Sequence, residues 1–126
     1  MALSSRARKN LGDSAERVAA LYLEEHGLKI LAHNVRTRAG EIDLVAQDGD
    51  EIAFVEVKAR RGTAYGTPEE AITPRKQIQL VNLGEAFMAQ QAEFAGRPWR
   101  IDVVAIQLDR AGKVIRLNHI KHAVQL

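Results

Sequence analysis

The sequence predicts an α/β domain, a mixed β-sheet covered by helices. Three observations lead there. An amphipathic helical stretch beginning at Leu11 precedes three short apolar runs of strand period, a capped helix begins at Thr73-Pro74, and two more apolar runs follow it. A long helix between the third and fourth strands carries the chain to a parallel neighbour by a right-handed crossover, so the sheet is mixed.

Taken in order, Met1 to Asn10 are basic and lack periodicity, which reads as a loose arm or the frayed start of a helix. Leu11, Ala15, Val18, Ala19, Tyr22 and Leu23 then share one helical face, and Gly27 closes the helix. Glu16 lies on the flank of that face, placed either to reach inward past the apolar stripe or to remain a boundary carboxylate. Leu28 to Val35 is the first strand, and Gly40 frees the backbone for a bend. In the second strand Ile42, Leu44 and Ala46 alternate with Asp43, Val45 and Gln47. In the third, Ile52, Phe54, Glu56 and Lys58 alternate with Ala53, Val55 and Val57. The Asp48-Gly49 turn folds the third strand back beside the second.

A glycine- and threonine-rich stretch from Arg60 to Pro68 is the long loop. Thr73 caps the next helix, Pro74 opens it, and it runs to about Gln91. Ile78, Val81 and Met88 lie on one side of it and Leu80, Leu83 and Phe87 on another, which predicts a largely covered helix. Ile101 to Leu108 and Val114 to Leu117 are the last strands.

With 126 residues, 46% of them hydrophobic and 27% charged, the chain reads as one globular domain over 1–126 rather than a disordered segment. The absence of cysteine removes disulfides and cysteine-ligated zinc and suits a reducing cytoplasm, the expected location. No targeting segment and no run of ~20 apolar residues is visible, so no membrane partner is expected. His119 and His122 lack acidic or cysteine companions nearby in sequence and read as surface or edge residues. For Asp102 a salt bridge to a nearby arginine suffices.

A net charge of +2 says little about partners, but its distribution says more. Arg36 and Arg38 precede the second strand, Lys58, Arg60 and Arg61 end the third, and Arg75 and Lys76 lie beyond, a placement suited to holding phosphates. Lys76 falls in the first turn of its helix, where a cation is disfavoured unless it is exposed or serves an anion. Aromatic content of 5% argues against a continuous base-stacking platform, leaving Tyr65 and Trp99 to contact a base or simply to pack.

The hairpin brings Asp43 and Glu56 into one neighbourhood and puts Lys58 on the same strand face as Glu56. A carboxylate removed from water must be paired, hydrogen-bonded or bound to metal. Ion pairing would use Lys58 for Glu56 and Arg36 or Arg38 for Asp43. A metal site would hold a hard divalent cation such as magnesium, with the lysine steadying phosphate charge or positioning a water.

Asp43 followed by Glu56-Val57-Lys58 resembles the PD-(D/E)xK nuclease signature, with Ile42 standing where that name has proline. Gly40-Glu41-Ile42-Asp43-Leu44-Val45 and Phe54-Val55-Glu56-Val57-Lys58-Ala59-Arg60 resemble more closely the YraN family, a largely uncharacterised group of small bacterial proteins expected to be endonucleases. The likeness covers nearly the whole chain, including the early helix with Glu16 and the strand Arg100-Ile101-Asp102-Val103-Val104.

The resemblance implies a restriction-endonuclease-like fold and a metal-dependent endonuclease acting on DNA, with branched or structured DNA as the leading substrate. Glu16, Asp43 and Glu56 would hold Mg2+ or Mn2+, and Lys58 would assist water attack. Arg36, Arg38, Arg60, Arg61, Tyr65 and Lys76 would contact nucleic acid, and a homodimer is compatible with this. The rival expectation is a nucleic-acid-binding or protein-interaction module that keeps the nuclease scaffold without cleaving.

Overall fold

The computed structural model describes residues 5–62, 64 and 66–126, with side chains from residue 11 onward. Helix α1 spans Ser5–Glu25, strands β1, β2 and β3 span Lys29–Thr37, Gly40–Asp48 and Glu51–Arg61, and helix α2 spans Pro74–Gln90. Strands β4 (Trp99–Leu108) and β5 (Val114–Ile120) complete one five-stranded sheet of order β1-β2-β3-β4-β5. Only β3 and β4 run parallel, joined through α2, so the sheet is mixed and the expected α/β class holds. This is the arrangement of a restriction-endonuclease-like fold.

Each face of the sheet carries its own core. Ala15, Ala19, Ala20 and Leu23 of α1 meet Leu44, Ala46, Ala53, Val55, Val104 and Ile106. The three alanines keep that helix close to the strands, because a small side chain shortens the distance at which two elements meet. On the other face Leu80, Leu83 and Phe87 of α2 meet Val45, Ile52, Phe54 and Ile101, and Val124 tucks beneath them.

Helix α1 ends as its glycine predicts. Leu28 N–H reaches Leu23 O at 3.0 Å and Gly27 N–H reaches Glu24 O at 3.1 Å, with Gly27 at φ +89. These two bonds make a Schellman cap, and Leu28 packs in the α1-side core. The expected strand start therefore moves from Leu28 to Lys29. Residues 5–10 are helical, and β5 continues to Ile120 rather than stopping at Leu117.

Helix α2 is covered along most of its two apolar stripes, with one exception. Thr73 caps it, its hydroxyl accepting the Lys76 N–H at 3.2 Å, but Ile78 is 66% exposed. Val81 and Met88 of the second apolar stripe are half-buried against the same core, and only Ile78 at its start is left to solvent. Trp99 packs edge-on against Phe54 at 5.4 Å rather than projecting outward, and Phe54 does the same with Phe87 at 5.2 Å. Gly84 makes room for that aromatic cluster. A Cβ there would overlap the Trp99 ring and stand 3.1 Å from Phe54.

A buried ionic network fixes the opposite end of the sheet. Arg100, 4% exposed, grips Asp102 at 2.9 and 3.0 Å and reaches Asp48 at 3.0 Å and Glu51 at 2.7 Å. Asp102 is fully buried and also accepts the His122 N–H at 3.1 Å, while His119 Nε2 lies 2.8 Å away. Burial would raise the Asp102 pKa, but hydrogen bonds from His119 and Arg100 outweigh it and hold the pKa below the usual value. The His119 side chain is only 6% exposed, which corrects the surface reading: its acidic companion lies seventeen residues earlier, on the neighbouring strand.

Two stability changes follow. Gly84→Ala should destabilise by about 1–2 kcal/mol net, overpacking against Trp99 outweighing the gain of ~1 kcal/mol in helix propensity. Urea denaturation decides, and a stabilised variant would show that the aromatic cluster yields freely. Asp102→Ala should cost roughly 3 kcal/mol by stranding the buried Arg100. A loss below ~1 kcal/mol would mean that Asp48 and Glu51 alone satisfy the guanidinium.

Candidate functional site

The site lies where the sheet splits. Strands β2 and β3 pair from Asp48↔Glu51 to Leu44↔Val55 and no further, while β1 stays paired with β2 out to Gly40 and β3 with β4 out to Arg61. Asp43 and Glu56 are the first residues past the last pair. An N–H freed from a ladder inside a protein needs another acceptor. Asp43 supplies it, Oδ2 accepting the Val57 N–H at 2.9 Å.

The strict alternation expected for β2 also ends here. Leu44 and Ala46 face α1, but Ile42 joins Val45 on the α2 side. Once released from β3, the strand is free to twist away, and Ile42 follows Val35 and Ala39 toward α2.

Glu56 is 5% exposed, and one oxygen, Oε1, faces two ammonium groups, Lys58 Nζ at 3.5 Å and Lys76 Nζ at 3.4 Å. The first arises from strand period, two residues along β3. The second depends on how α2 is delivered. A single 3-10 turn at Pro68–Ala71, closed by a Thr67–Glu70 capping box, leads into that helix. Its Glu69 is clamped to β5 by Arg116 at 2.5 and 2.9 Å and by Asn118 at 3.1 Å. The Arg116 hydrogen bonds hold the Glu69 pKa down at about 2. The anion that accounts for a lysine at the positive end of α2 is thus a carboxylate of the protein itself.

Burial pushes the Asp43 pKa up to about 7, and the Glu56 charge adds to it, against the pull of the Val57 N–H. Glu16 approaches from α1, close enough that its charge also raises Asp43. Its own pKa is raised by burial, partly offset by the neighbouring Asn34 side chain. Asn34 is a site residue that sequence reasoning passed over. It adopts φ +50 within β1, a left-handed conformation that asparagine tolerates better than most residues.

Among the described residues no three His, Cys, Asp or Glu side chains close around a metal-sized space. Like charges keep apart without a cation between them, and Glu56 is turned toward its lysines. The donor set nevertheless suits a hard cation. It offers only oxygen, it includes two carboxylates at one break in the sheet, and burial together with the Glu56 charge raises the Asp43 pKa, an effect that a cation between them would oppose.

The ion-pair expectation is met in one half, since Lys58 does face Glu56. Arg36 instead lies 3.9 Å from Glu41 with its side chain 87% exposed, and Arg38 is exposed in the β1–β2 turn, so neither neutralises Asp43. Arg60 follows Lys58 on the same side of β3, and its Nε is buried without a hydrogen-bond partner. Arg61 points the other way, into an open cleft of about 400 Å3 with Leu11, Val18 and Leu108. Tyr65 lies outside the described residues.

The model of the Uncharacterised protein family UPF0102 matches residues 15–106, most of the chain and all of the strands around the split. The chain belongs to the UPF0102 family. A UPF0102 protein of Pelotomaculum thermopropionicum is 45% identical over 93% of this chain and 97% of its own length. Those of Roseiflexus castenholzii and Moorella thermoacetica are 42% and 40% identical, covering 94% and 98% of this chain and 95% and 99% of their own. The resemblance to the YraN family, which is UPF0102, is thereby established over nearly the full chain. No helix among the described residues is long and apolar enough to cross a membrane.

The Asp43 charge sets a pH dependence. With its pKa at about 7 folded and 3.8 unfolded, the folded state holds the extra proton between those values, so stability falls as pH rises through that window. In chelator at pH 8, Asp43→Asn should be neutral or stabilising by about 1–2 kcal/mol, the amide oxygen keeping the Val57 N–H bond. At pH 4 the difference should vanish. Denaturation at both pH values checks it, and clear destabilisation at pH 8 would mean that Asp43 serves a structural pair.

Proposed function

We propose that this protein is a metal-dependent endonuclease that hydrolyses phosphodiester bonds in DNA. One observation carries the reading: a buried carboxylate and a second of raised pKa stand at the break between β2 and β3, with a lysine ammonium beside them. Structural ion pairs in this protein look different, as the closed Arg100 network shows. Asp43 and Glu56 would hold Mg2+ or Mn2+, with Glu16 as the third carboxylate on its far side. When bound, the cation would supply Lewis acidity and a water of lowered pKa.

The remaining work falls to the chain's own groups. Lys58 Nζ, with its side chain 31% exposed, stands at the surface of the site, where it can bond a non-bridging phosphate oxygen as negative charge grows in the transition state. Asp43 stands near enough to Glu56 for their charges to interact, and either could orient a water for in-line attack. Arg36, Arg38 and Arg60 lie on exposed or half-buried ground from which phosphates can be held, whereas Arg61 belongs to the other face of β3. Branched or structured DNA, read by shape, is the substrate class that the resemblance favours.

A second reading has two observations in its favour. Glu56 is satisfied by two lysines, and no three described ligand-type side chains enclose a metal, as expected of a binding module that keeps a nuclease scaffold without cleaving. A panel of linear, single-stranded, flapped and four-way DNA, with Mg2+, Mn2+ or chelator, separates the two. The nuclease reading expects metal-dependent cleavage of at least one substrate, with Lys58→Ala slower by on the order of 100-fold yet binding Mn2+ normally. Tight binding without cleavage across the panel would leave the module.

A further inference from the structure

Lys76 stands out because strand period does not explain it and the helix dipole opposes it. It lies in the first turn of α2, which contains no acidic residue, yet its side chain is only 25% exposed and ends 3.4 Å from Glu56 Oε1. That same oxygen lies 3.5 Å from Lys58 Nζ. One ammonium is enough to neutralise one carboxylate, so two on a single oxygen are in surplus for Glu56 alone. They balance if Asp43 is counted with it.

The pairs are also loose. Arg100 holds its carboxylates at 2.7–3.0 Å and Arg116 holds Glu69 at 2.5–2.9 Å, lengths of charge-assisted hydrogen bonds. At 3.4–3.5 Å the two lysines sit beside Glu56 by charge more than by a directed bond. Glu56 is 5% exposed and needs a counterion at all times, while Lys76 has a flexible stem and reaches solvent.

We propose that Lys76 is a displaceable counterion: it occupies Glu56 in the metal-free protein, and a divalent cation on Asp43 and Glu56 releases it to bind a phosphate of the nucleic acid. This rests on the reading of Asp43 and Glu56 as metal ligands. Cation and lysine compete for one oxygen, so filling the metal site creates an anion site next to it. Cation and DNA then strengthen each other's binding, and the coupling is reciprocal. Lys58 stays with the carboxylate as its neighbour on the same strand, so the two lysines divide the work, one fixed and one exchanged.

The test uses the full chain, Lys76→Met, and Arg75→Met as a control that removes the same charge from the adjacent, exposed position. Mn2+ alone is titrated calorimetrically. A fluorescent four-way junction is then titrated in chelator and in Ca2+, with Lys76→Gln as a second variant and melting curves to confirm folding. Lys76→Met should bind Mn2+ about five- to tenfold more tightly than the parent, and lose a similar factor of the Ca2+-dependent gain in junction affinity. Arg75→Met should leave Mn2+ affinity unchanged and alter junction affinity by the same factor in chelator and in Ca2+. If the parent binds Mn2+ but Lys76→Met binds it no more tightly than Arg75→Met does, the exchange is overturned and the metal site stands. If the parent binds no Mn2+, the metal-site reading fails and the exchange fails with it.

Discussion

The structure turns on the early end of one hydrogen-bond ladder. Strands β2 and β3 separate after Leu44 and Val55, although each stays tied to its other neighbour. An open ladder inside a sheet leaves donors that must be satisfied, and Asp43 satisfies one of them with a side-chain oxygen. Had pairing continued, Asp43 and Glu56 would face each other as directly opposed like charges, which is destabilising in a sheet. The split relieves that contact and opens a gap lined by carboxylates, and the local twist sends Ile42 to the α2 core.

Two kinds of ionic cluster serve two ends of the same sheet. At the start of β4, Arg100 and Asp102 are almost wholly buried, and short bonds join them to the β2–β3 hairpin and to the segment around His119. Such a network is costly to desolvate and costlier to break, so it holds register. At the split the bonds are longer, the ammonium groups reach water, and Asp43 has a raised pKa. Rigidity at one end allows the other to hold its charges in a less compensated arrangement.

Membership in UPF0102 accounts for the shared chain length and sequence, but the chemistry has to be argued from the site. The route from β3 to α2 matters as much as the strands. Glu69, gripped by Arg116 and Asn118, fixes the turn before α2, and that turn decides where Lys76 arrives. The approach of Lys76 to Glu56 is therefore a property of the β5 surface as well as of the helix that bears it.

The sequence by itself determined the elements and their order, because their causes are local. Period-two runs made β2 and β3, the Asp48-Gly49 turn paired them, Gly27 closed α1, and Thr73-Pro74 opened α2. It also put Glu56 and Lys58 on one face and singled out Asp43. Where the ladder stops, which part of α2 is left to solvent, the burial of His119 and the arrival of Lys76 at Glu56 were decided by the tertiary structure alone. Each of these depends on side chains from elements far apart in the chain competing for one donor, one oxygen or one face. Local period and capping carry no record of that competition.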